Sequence, residues 1–202
     1  IANPKFFFNF FVRQSFFMAL ICVFGGSGLI ADDLRNNALQ LYLSKPLTRL
    51  DYLIGKLVIM MLLMGFLTIV PGILLFIENS LLSEGANFLR EKYWMIGSII
   101  FYSLAIMLST GLLILALSSI TRNGRYAAII FIAILVGTPL LSEMLKTILN
   151  LKEAVFISYW ANLAILGKLF FGLSGEENWR WAVLIVLCII GLCVWIMCGK
   201  VR

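Results

Sequence analysis

Charged positions are scarce along most of this chain and are gathered into short connections between five apolar stretches. These stretches cover residues 16–31, 53–77, 95–120, 126–145 and 181–197. A helix needs about 20 mostly apolar residues to cross a membrane, so each stretch is a candidate spanning helix. We expect the first, which is the shortest, to begin near Phe10 with Arg13 close to the membrane surface. The pattern predicts an all-α, polytopic helical membrane protein with five transmembrane helices in this sequence.

Composition supports the same fold class. Of the 202 residues, 62% are hydrophobic and 13% are charged, whereas soluble domains carry about 25% charged residues. A soluble fold is therefore excluded. The absence of histidine argues against histidine-ligated metal sites and histidine acid–base chemistry. The cysteines lie inside apolar stretches or, for the last, directly after one, and we expect inert buried thiols rather than a disulfide framework: Cys22, Cys188, Cys193 and Cys198.

The segment between the fourth and fifth stretches, residues 151–178, is neither a clean span nor a clean loop. It is apolar enough to enter a membrane but is interrupted by Asn162 and Lys168. We expect one or two re-entrant or interfacial helices on the outer face. The alternative, a further span at this place, would invert the topology of everything before it.

The distribution of basic residues predicts the orientation of the chain. Residues 32–56, residues 121–125 and the C-terminal tail together hold eight basic and three acidic residues, and the other connections hold six basic and seven acidic ones. Because basic connections stay on the cytoplasmic side, we expect these segments and the C-terminus in the cytoplasm of a cell with this protein in its inner membrane. Five spans then place Ile1 outside, and we expect a sixth span upstream in the full chain.

Residues 26–56 form a charged segment between two apolar stretches. Asp32 or Asp33 is a candidate N-cap for a short amphipathic helix, about residues 33–43, that Pro46 ends. Thr48 and Asp51 then have the spacing of a capping box that starts the next helix. Such a helix, joined to two spans, would pass a push from a cytoplasmic partner into the membrane. The alternative is an ordinary cytoplasmic loop.

The same segment carries a family resemblance. It contains Gly-Leu-Ile-Ala-Asp-Asp from Gly28, Ser-Lys-Pro-Leu-Thr-Arg from Ser44 and Tyr-Leu-Ile-Gly-Lys from Tyr52. These runs resemble the signature of type-2 ABC transporter permeases. In many members a Glu and Gly-Thr stand where this chain has Asp33 and Asn37-Ala38, a subfamily difference.

The resemblance implies that residues 33–43 are the coupling helix, which docks in a groove of a separate cytoplasmic ATPase. It implies two ATPase subunits and a second permease copy or relative, with six spans and re-entrant helices before the last. The residues expected to contact the ATPase are Asp33, Arg35, Asn36, Leu39, Leu41, Tyr42 and Lys45, with Arg122 and Arg125 in the second cytoplasmic connection.

The sequence lacks the residues for hydrolysing ATP itself. A phosphate-binding loop requires Gly-Lys followed by Ser or Thr, but Leu57, Leu169 and Val201 follow the three Gly-Lys pairs. We therefore expect no catalytic residue, metal or cofactor in this chain, and ATP with Mg on the partner ATPase. Membrane lipid is the other expected partner, and nucleic acid is not.

Residues that could form a gate or pathway lie in the second, third and fourth stretches. Pro71 and Pro139 interrupt spans and should face protein rather than lipid. Glu143 and Lys146 share a helix face near the outer end, either as an interfacial ion pair or as an outer gate or dimer contact. Hydroxyl residues of the third stretch could line a path or bond within their own helix: Ser98, Tyr102, Ser103, Ser109 and Thr110.

Taken together, the sequence predicts a single transmembrane domain over residues 1–202 that acts as the permease subunit of an ATP-driven exporter. The alternative is a permease-like scaffold or assembly factor that transmits force from the ATPase to an extracytoplasmic partner without moving a substrate. A secondary carrier is disfavoured because the spans lack buried carboxylates.

Overall fold

The computed structural model describes residues 4–36, 48–82, 93–173 and 178–200 and contains no strand among them. The α-helices are α1 (Pro4–Ile21), α2 (Gly28–Arg35), α3 (Arg49–Leu82), α4 (Trp94–Ile120), α5 (Gly124–Leu149), α6 (Tyr159–Phe170) and α7 (Trp179–Lys200). A π-helical turn, Cys22–Gly26, joins α1 to α2, and a 3₁₀ helix, Lys152–Ile157, precedes α6. The all-α prediction is confirmed.

Within the described ranges, five helical segments are long and apolar enough to cross a membrane: α1 with α2, α3, α4, α5 and α7. The first begins at Pro4 rather than near Phe10, because proline is well accommodated in the first turn of a helix. Arg13 lies nine residues, about 14 Å, from the start of this 32-residue segment, which is longer than a membrane span requires, so its closeness to the membrane surface stays a prediction.

Helix α4 is the central helix of the bundle. Buried residues make up 72% of its membrane-spanning window, against 33% or fewer in the other four. Small hydroxyl residues such as Ser109, Thr110 and Ser118 are fully buried along it, because they let neighbouring helices approach closely. Ser109 and Thr110 both donate to the Ile106 carbonyl, at 3.1 and 2.6 Å, so these hydroxyls pack within the bundle.

Residues 151–173 form a re-entrant hairpin, as expected. At its tip, the Tyr159 hydroxyl bonds to Ser109 Oγ at 3.2 Å and the Tyr159 amide donates to Thr138 Oγ1 at 3.2 Å. Ser109 lies 15 residues, about 22 Å, from the Trp94 end of α4. The hairpin returns toward that end, where the Phe170 carbonyl accepts from Ser98 Oγ at 2.7 Å. Helix α6, with 12 residues, is too short to span.

The break at Pro71 faces protein, as expected. Proline has no amide hydrogen, so the Leu67 carbonyl one turn earlier lacks its helical donor. The buried Gln14 side chain of α1 donates to that carbonyl. Beside it, a Cβ added to Gly72 would lie 3.0 Å from Ile99 and 3.1 Å from Phe11 side-chain atoms. Helices α1 and α3 are thus joined at the kink.

The break at Pro139 lies beside the re-entrant hairpin. Thr138 Oγ1 donates to the Ile134 carbonyl at 2.8 Å and accepts from the tip of the hairpin. A Cβ added to Gly137, by contrast, would meet open space. The break therefore faces protein at Thr138 but not at Gly137.

The cysteines are free, as expected, but only two are well buried. Cys22 and Cys193 lie in the core, whereas Cys188 and Cys198 are exposed on the surface of α7. The expectation of burial is wrong for these two because α7 has core contacts on one side and an open apolar face on the other.

Candidate coupling site between α2, α3 and α5

The end of α2, the start of α3 and the connection between α4 and α5 meet at one end of the bundle. The first turn of any helix leaves amide hydrogens without helical partners. In α2, Ser118 of α4 accepts from the amides of Ile30 and Ala31, at 3.1 and 2.9 Å, and donates to the Ser27 carbonyl at 2.7 Å. These bonds fasten α2 to the central helix.

Asp33 joins α2 to α3. Its carboxylate lies 2.7 Å from the Lys56 ammonium and accepts from the Tyr52 hydroxyl at 2.7 Å. Tyr52 and Lys56 are one turn apart on α3, so one carboxylate bridges a single face of that helix. The side chains of Asp33 and Lys56 are 19% and 16% exposed, and the partial exclusion of water strengthens the pair relative to a surface ion pair.

The N-cap role expected for Asp32 or Asp33 is wrong. Both residues lie inside α2, which runs on to Arg35 and is followed by Asn36, whose amide donates to the Asp32 carbonyl at 3.0 Å. Helix α2 continues straight from the π turn because no proline or glycine interrupts residues 29–35. Asp33 therefore acts through its side chain on α3 rather than on the backbone of a new helix.

The capping box at the start of α3 is confirmed. The Thr48 amide and hydroxyl donate to Asp51 Oδ2 at 3.0 and 2.6 Å, and the Asp51 amide donates back to Thr48 Oγ1 at 3.2 Å. These reciprocal bonds satisfy amides that the first turn leaves free. Helix α3, which follows residues 37–47, therefore begins at a fixed position.

A cleft of about 640 Å³ lies between α2 and the start of α5. Its rim carries Asp32, Arg35 and Arg125, and its wall includes Phe24 and Ile129. Arg35, Arg122 and Arg125 are exposed, and none of them forms an ion pair within the described residues. The structure thus brings Arg35 of α2 close to Arg125 of α5.

Two glycines lie where the start of α5 meets α2. A Cβ added to Gly124 would lie 2.9 Å from Gly28 Cα, nearer than side-chain carbons approach backbone atoms. Glycine at both positions lets the start of α5 lie directly against α2. Gly28 belongs to the run that carries the family resemblance, but nothing in the sequence pairs it with Gly124.

The remaining predicted residues separate into two groups. Leu39, Leu41, Tyr42 and Lys45, with most of the coupling helix predicted at 33–43, lie outside the described residues. Glu143 and Lys146 form an ion pair at 2.7 Å on α5, with 71% and 31% of their side chains exposed. The expected pairing is confirmed, and a role in gating stays a prediction.

Sequence reasoning missed several residues that build the site. In the sequence, Tyr52 and Lys56 stand out only as part of a motif and as a basic charge, and Ser118 does not stand out. The spacing of Tyr52 and Lys56, one helical turn apart and preceded by two aspartates, is a signal that could have indicated the contact with Asp33. Ser118 carries no comparable signal, because its partners lie 87 to 91 residues away.

A comparison with protein families matches residues 10–157 to the family described as ABC-2 family transporter protein. The match covers nearly three quarters of the chain and includes Asp33, Tyr52, Lys56 and Ser118. Comparisons with curated proteins and with solved structures gave no significant match. Proteins of this family are membrane components of transporters and generally work with cytoplasmic ATPase subunits. This chain therefore belongs to the ABC-2 transporter family and is a type-2 ABC transporter permease.

Proposed function

We propose that this permease couples ATP hydrolysis by a separate cytoplasmic ATPase to export of a substrate across the inner membrane. Two ATPases and a second permease copy or relative complete the transporter, and ATP with Mg resides on the ATPases. The observation that carries this proposal is the Asp33 contact with Lys56 and Tyr52. This contact joins α2, which precedes residues 37–47, to α3, which follows them.

The contacts around Asp33 provide a mechanical route from the inner surface to the core. A push on residues 37–47 reaches α2 and α3 together because Asp33 joins them. Ser118 then passes the displacement of α2 to α4, the most buried helix. We treat the permease as an equilibrium between two conformations. A partner shifts this equilibrium only by the difference between its affinities for the two conformations. The ATPase must therefore bind residues 37–47 differently with and without ATP.

Charge supports a cytoplasmic location for the proposed coupling site and the C-terminus. Arg35, Arg122 and Arg125 are exposed at the end of the bundle where Asp33 and Lys56 lie. Basic residues flanking spans remain in the cytoplasm during insertion. They also offer long-range attraction to an acidic surface on an ATPase.

Substitution of Leu41 or Tyr42 by Asp tests the docking of the ATPase. A carboxylate in an apolar contact is costly to desolvate, so we expect ATPase co-purification to fall about tenfold or more. The matched control is Leu151→Asp, at an exposed position beyond the opposite end of α5, which should retain the ATPase. Full co-purification with both Leu41→Asp and Tyr42→Asp would refute the docking.

The alternative is a permease that transmits force to an extracytoplasmic partner and moves no substrate. Ser109 and Thr110 of α4 are buried and bond within their own helix, which gives no support to a substrate path along them. This observation favours keeping the alternative. Both functions require the same contact with the ATPase. ATP-dependent flux in proteoliposomes separates them, since only the exporter produces it.

A further inference from the structure

The cleft between α2 and the start of α5 has a charged rim and an apolar wall. Arg35 and Arg125 lie at its rim, and the exposed side chains of Phe24 and Ile129 form part of its wall. Phe24 lies 11 residues before Arg35, or about 16 Å along the helical segment, and Ile129 lies one turn beyond Arg125 in α5. The arginines therefore lie nearer the end of the bundle, and the apolar wall lies deeper in the membrane-spanning part.

Arg35 and Arg125 have no anionic partner in the part of the chain that the structure describes. Both guanidinium groups stay charged, and two like charges beside one cleft repel each other. An anion bound between them offsets this repulsion. Phosphate suits such a site because guanidinium groups donate two parallel hydrogen bonds to its oxygens.

The chain itself supplies few carboxylates at this end of the bundle. Its connections there hold three acidic residues, Asp32, Asp33 and Asp51. Asp33 pairs with Lys56, and Asp51 caps the first turn of α3. Asp32 lies at the rim of the cleft with its carboxylate against Gly28, and it forms no ion pair among the described residues. The rim thus carries a net positive charge, which fits an anionic ligand from outside the chain.

We propose that the cleft binds an anionic phospholipid, with its phosphate between Arg35 and Arg125 and an acyl chain along Phe24 and Ile129. A phospholipid places its headgroup at the membrane surface and its chains in the hydrocarbon, which is the order in which the cleft presents arginines and apolar side chains. Basic pockets between spanning helices are suited to such headgroups. Tyr126, which also lines the cleft and is exposed, can donate its hydroxyl to the headgroup.

The bound lipid joins α2 to α5 beside the contact of Gly28 with Gly124. Arg35 is the last residue of α2, so the lipid also holds the end of the helix that leads into residues 37–47. This inference rests on the proposed function only in assigning the cleft to the inner leaflet. The charge of the rim and the apolar wall do not depend on that assignment.

Photolabelling of the intact permease in nanodiscs tests the site. The probe is phosphatidylglycerol with a diazirine in its acyl chain, diluted into neutral phosphatidylcholine, and mass spectrometry of peptides identifies the labelled residues. We expect labelling concentrated at Phe24 and Ile129. It should exceed labelling by the matching phosphatidylcholine probe about fivefold or more, the factor that one basic residue contributes at an anionic membrane surface. Equal labelling by the two probes, or labelling spread evenly over all exposed helix faces, would overturn the proposal.

Substitution of the arginines tests the role of charge. Arg35→Gln and Arg125→Gln should each lower labelling of the cleft about fivefold, whereas Arg35→Lys should retain most of it because the charge is kept. Asp32→Asn removes a repelling carboxylate and should raise labelling about twofold or more. The matched control is Arg180→Gln, at an exposed position at the opposite end of the bundle, which should leave labelling of the cleft unchanged. Unchanged labelling in both Arg→Gln variants would contradict the site.

Inorganic phosphate distinguishes a lipid from a soluble anion. An excess of phosphate, compared with chloride at equal ionic strength, should leave labelling by phosphatidylglycerol within about twofold, because the acyl chain confines the lipid to the membrane and raises its local concentration. Displacement of the probe by phosphate but not by chloride would show that the arginines bind phosphate from solution. That result would overturn the lipid as the occupant.

The Leu41→Asp variant separates this site from the proposed function. Labelling of the cleft does not require the ATPase, so Leu41→Asp should keep it. An unlabelled cleft in a permease that retains the ATPase overturns the lipid site and leaves the coupling site standing. Loss of the ATPase in Arg35→Gln and Arg125→Gln with unchanged labelling would assign these arginines to the ATPase and likewise overturn the lipid site.

Discussion

Single polar side chains satisfy backbone groups at the irregular places in this bundle. Gln14 serves the carbonyl that Pro71 leaves free, Ser118 serves two amides of α2, and Thr138 serves the tip of the re-entrant hairpin. No water in the hydrocarbon core can replace them, so each irregular element depends on a specific donor or acceptor. These residues hold the fold in place without any charge.

Replacing Gln14 by Leu should destabilise the protein through the Leu67 carbonyl. The expected loss in free energy of unfolding is about 1 kcal/mol, as for other hydrogen bonds between transmembrane helices. In a Pro71→Ala background the amide of the introduced alanine serves that carbonyl, so Gln14→Leu should cost much less. Unfolding midpoints of the four proteins in detergent measure the coupling. Additive effects of the two substitutions would contradict the proposed role of Gln14.

Asp33 should act as a positioning residue for coupling rather than as a contact for ATP. Asp33→Ala leaves Lys56 without its carboxylate and loosens α2 from α3. We expect the ATPase to remain bound while stimulation of its activity by the permease falls about tenfold, a fall equivalent to about 1.4 kcal/mol. The exchanged pair Asp33→Lys with Lys56→Asp should recover part of the stimulation. Unchanged stimulation in Asp33→Ala would contradict the mechanical route.

Whole helices pack in this bundle according to the size of the residues where they cross. Gly28 and Gly124 allow α2 and α5 to meet backbone to backbone, while Gly72 receives side chains of Phe11 and Ile99. A Cβ added to Gly137, midway along α5, would contact nothing. Glycines within the same helix therefore have opposite structural roles.

Gly124→Ala and Gly137→Ala form a matched pair for the packing of α5. A methyl group at Gly124 must displace the backbone of α2, and we expect a loss of about 1–3 kcal/mol in the free energy of unfolding. The same change at Gly137 meets open space and should stabilise the helix by about 0.5–1 kcal/mol. Thermal unfolding of both variants checks the difference in sign. Equal shifts would show that α2 and α5 are not in close contact.

At the scale of the whole molecule, the five spans and the re-entrant hairpin place residues 36, 48 and 123 at one end and residues 151 and 178 at the other. This arrangement follows from the alternating directions of the spans. In the proposed orientation, the first end lies in the cytoplasm because it carries more of the basic residues. The position of the coupling site therefore depends on the orientation of the entire chain.

Accessibility of single cysteines tests that orientation. In a background whose four native cysteines are replaced by alanine, Leu151→Cys and Asn178→Cys should react with a membrane-impermeant maleimide in sealed right-side-out vesicles. Asn36→Cys and Asn123→Cys should react only after permeabilisation, because the bilayer separates them from the reagent. Labelling of Asn36→Cys in sealed vesicles would place the proposed coupling site outside and refute the proposed function.

The sequence alone predicts those features that depend on local chemistry. The five spans follow from the length of apolar stretches, the capping box of Thr48 and Asp51 from short-range spacing, and the re-entrant hairpin from an apolar segment interrupted by Asn162 and Lys168. The ion pair of Glu143 and Lys146 likewise follows from a separation of one helical turn. In each case the interacting groups are close along the chain, or the whole segment is apolar enough to lie in the membrane.

Tertiary structure alone decides the contacts between distant helices. Periodicity shows that Asp33 can point inward but not that it meets Lys56, and the sequence pattern assigned Asp33 to the wrong role of N-cap. The contacts of Gln14 with Leu67, Ser118 with α2 and Gly28 with Gly124 join residues 53 to 96 positions apart. Apolar helices in a membrane have no hydrophobic force that selects a neighbour, so the choice depends on close fit and on a few polar groups. These become visible only once the helices are packed.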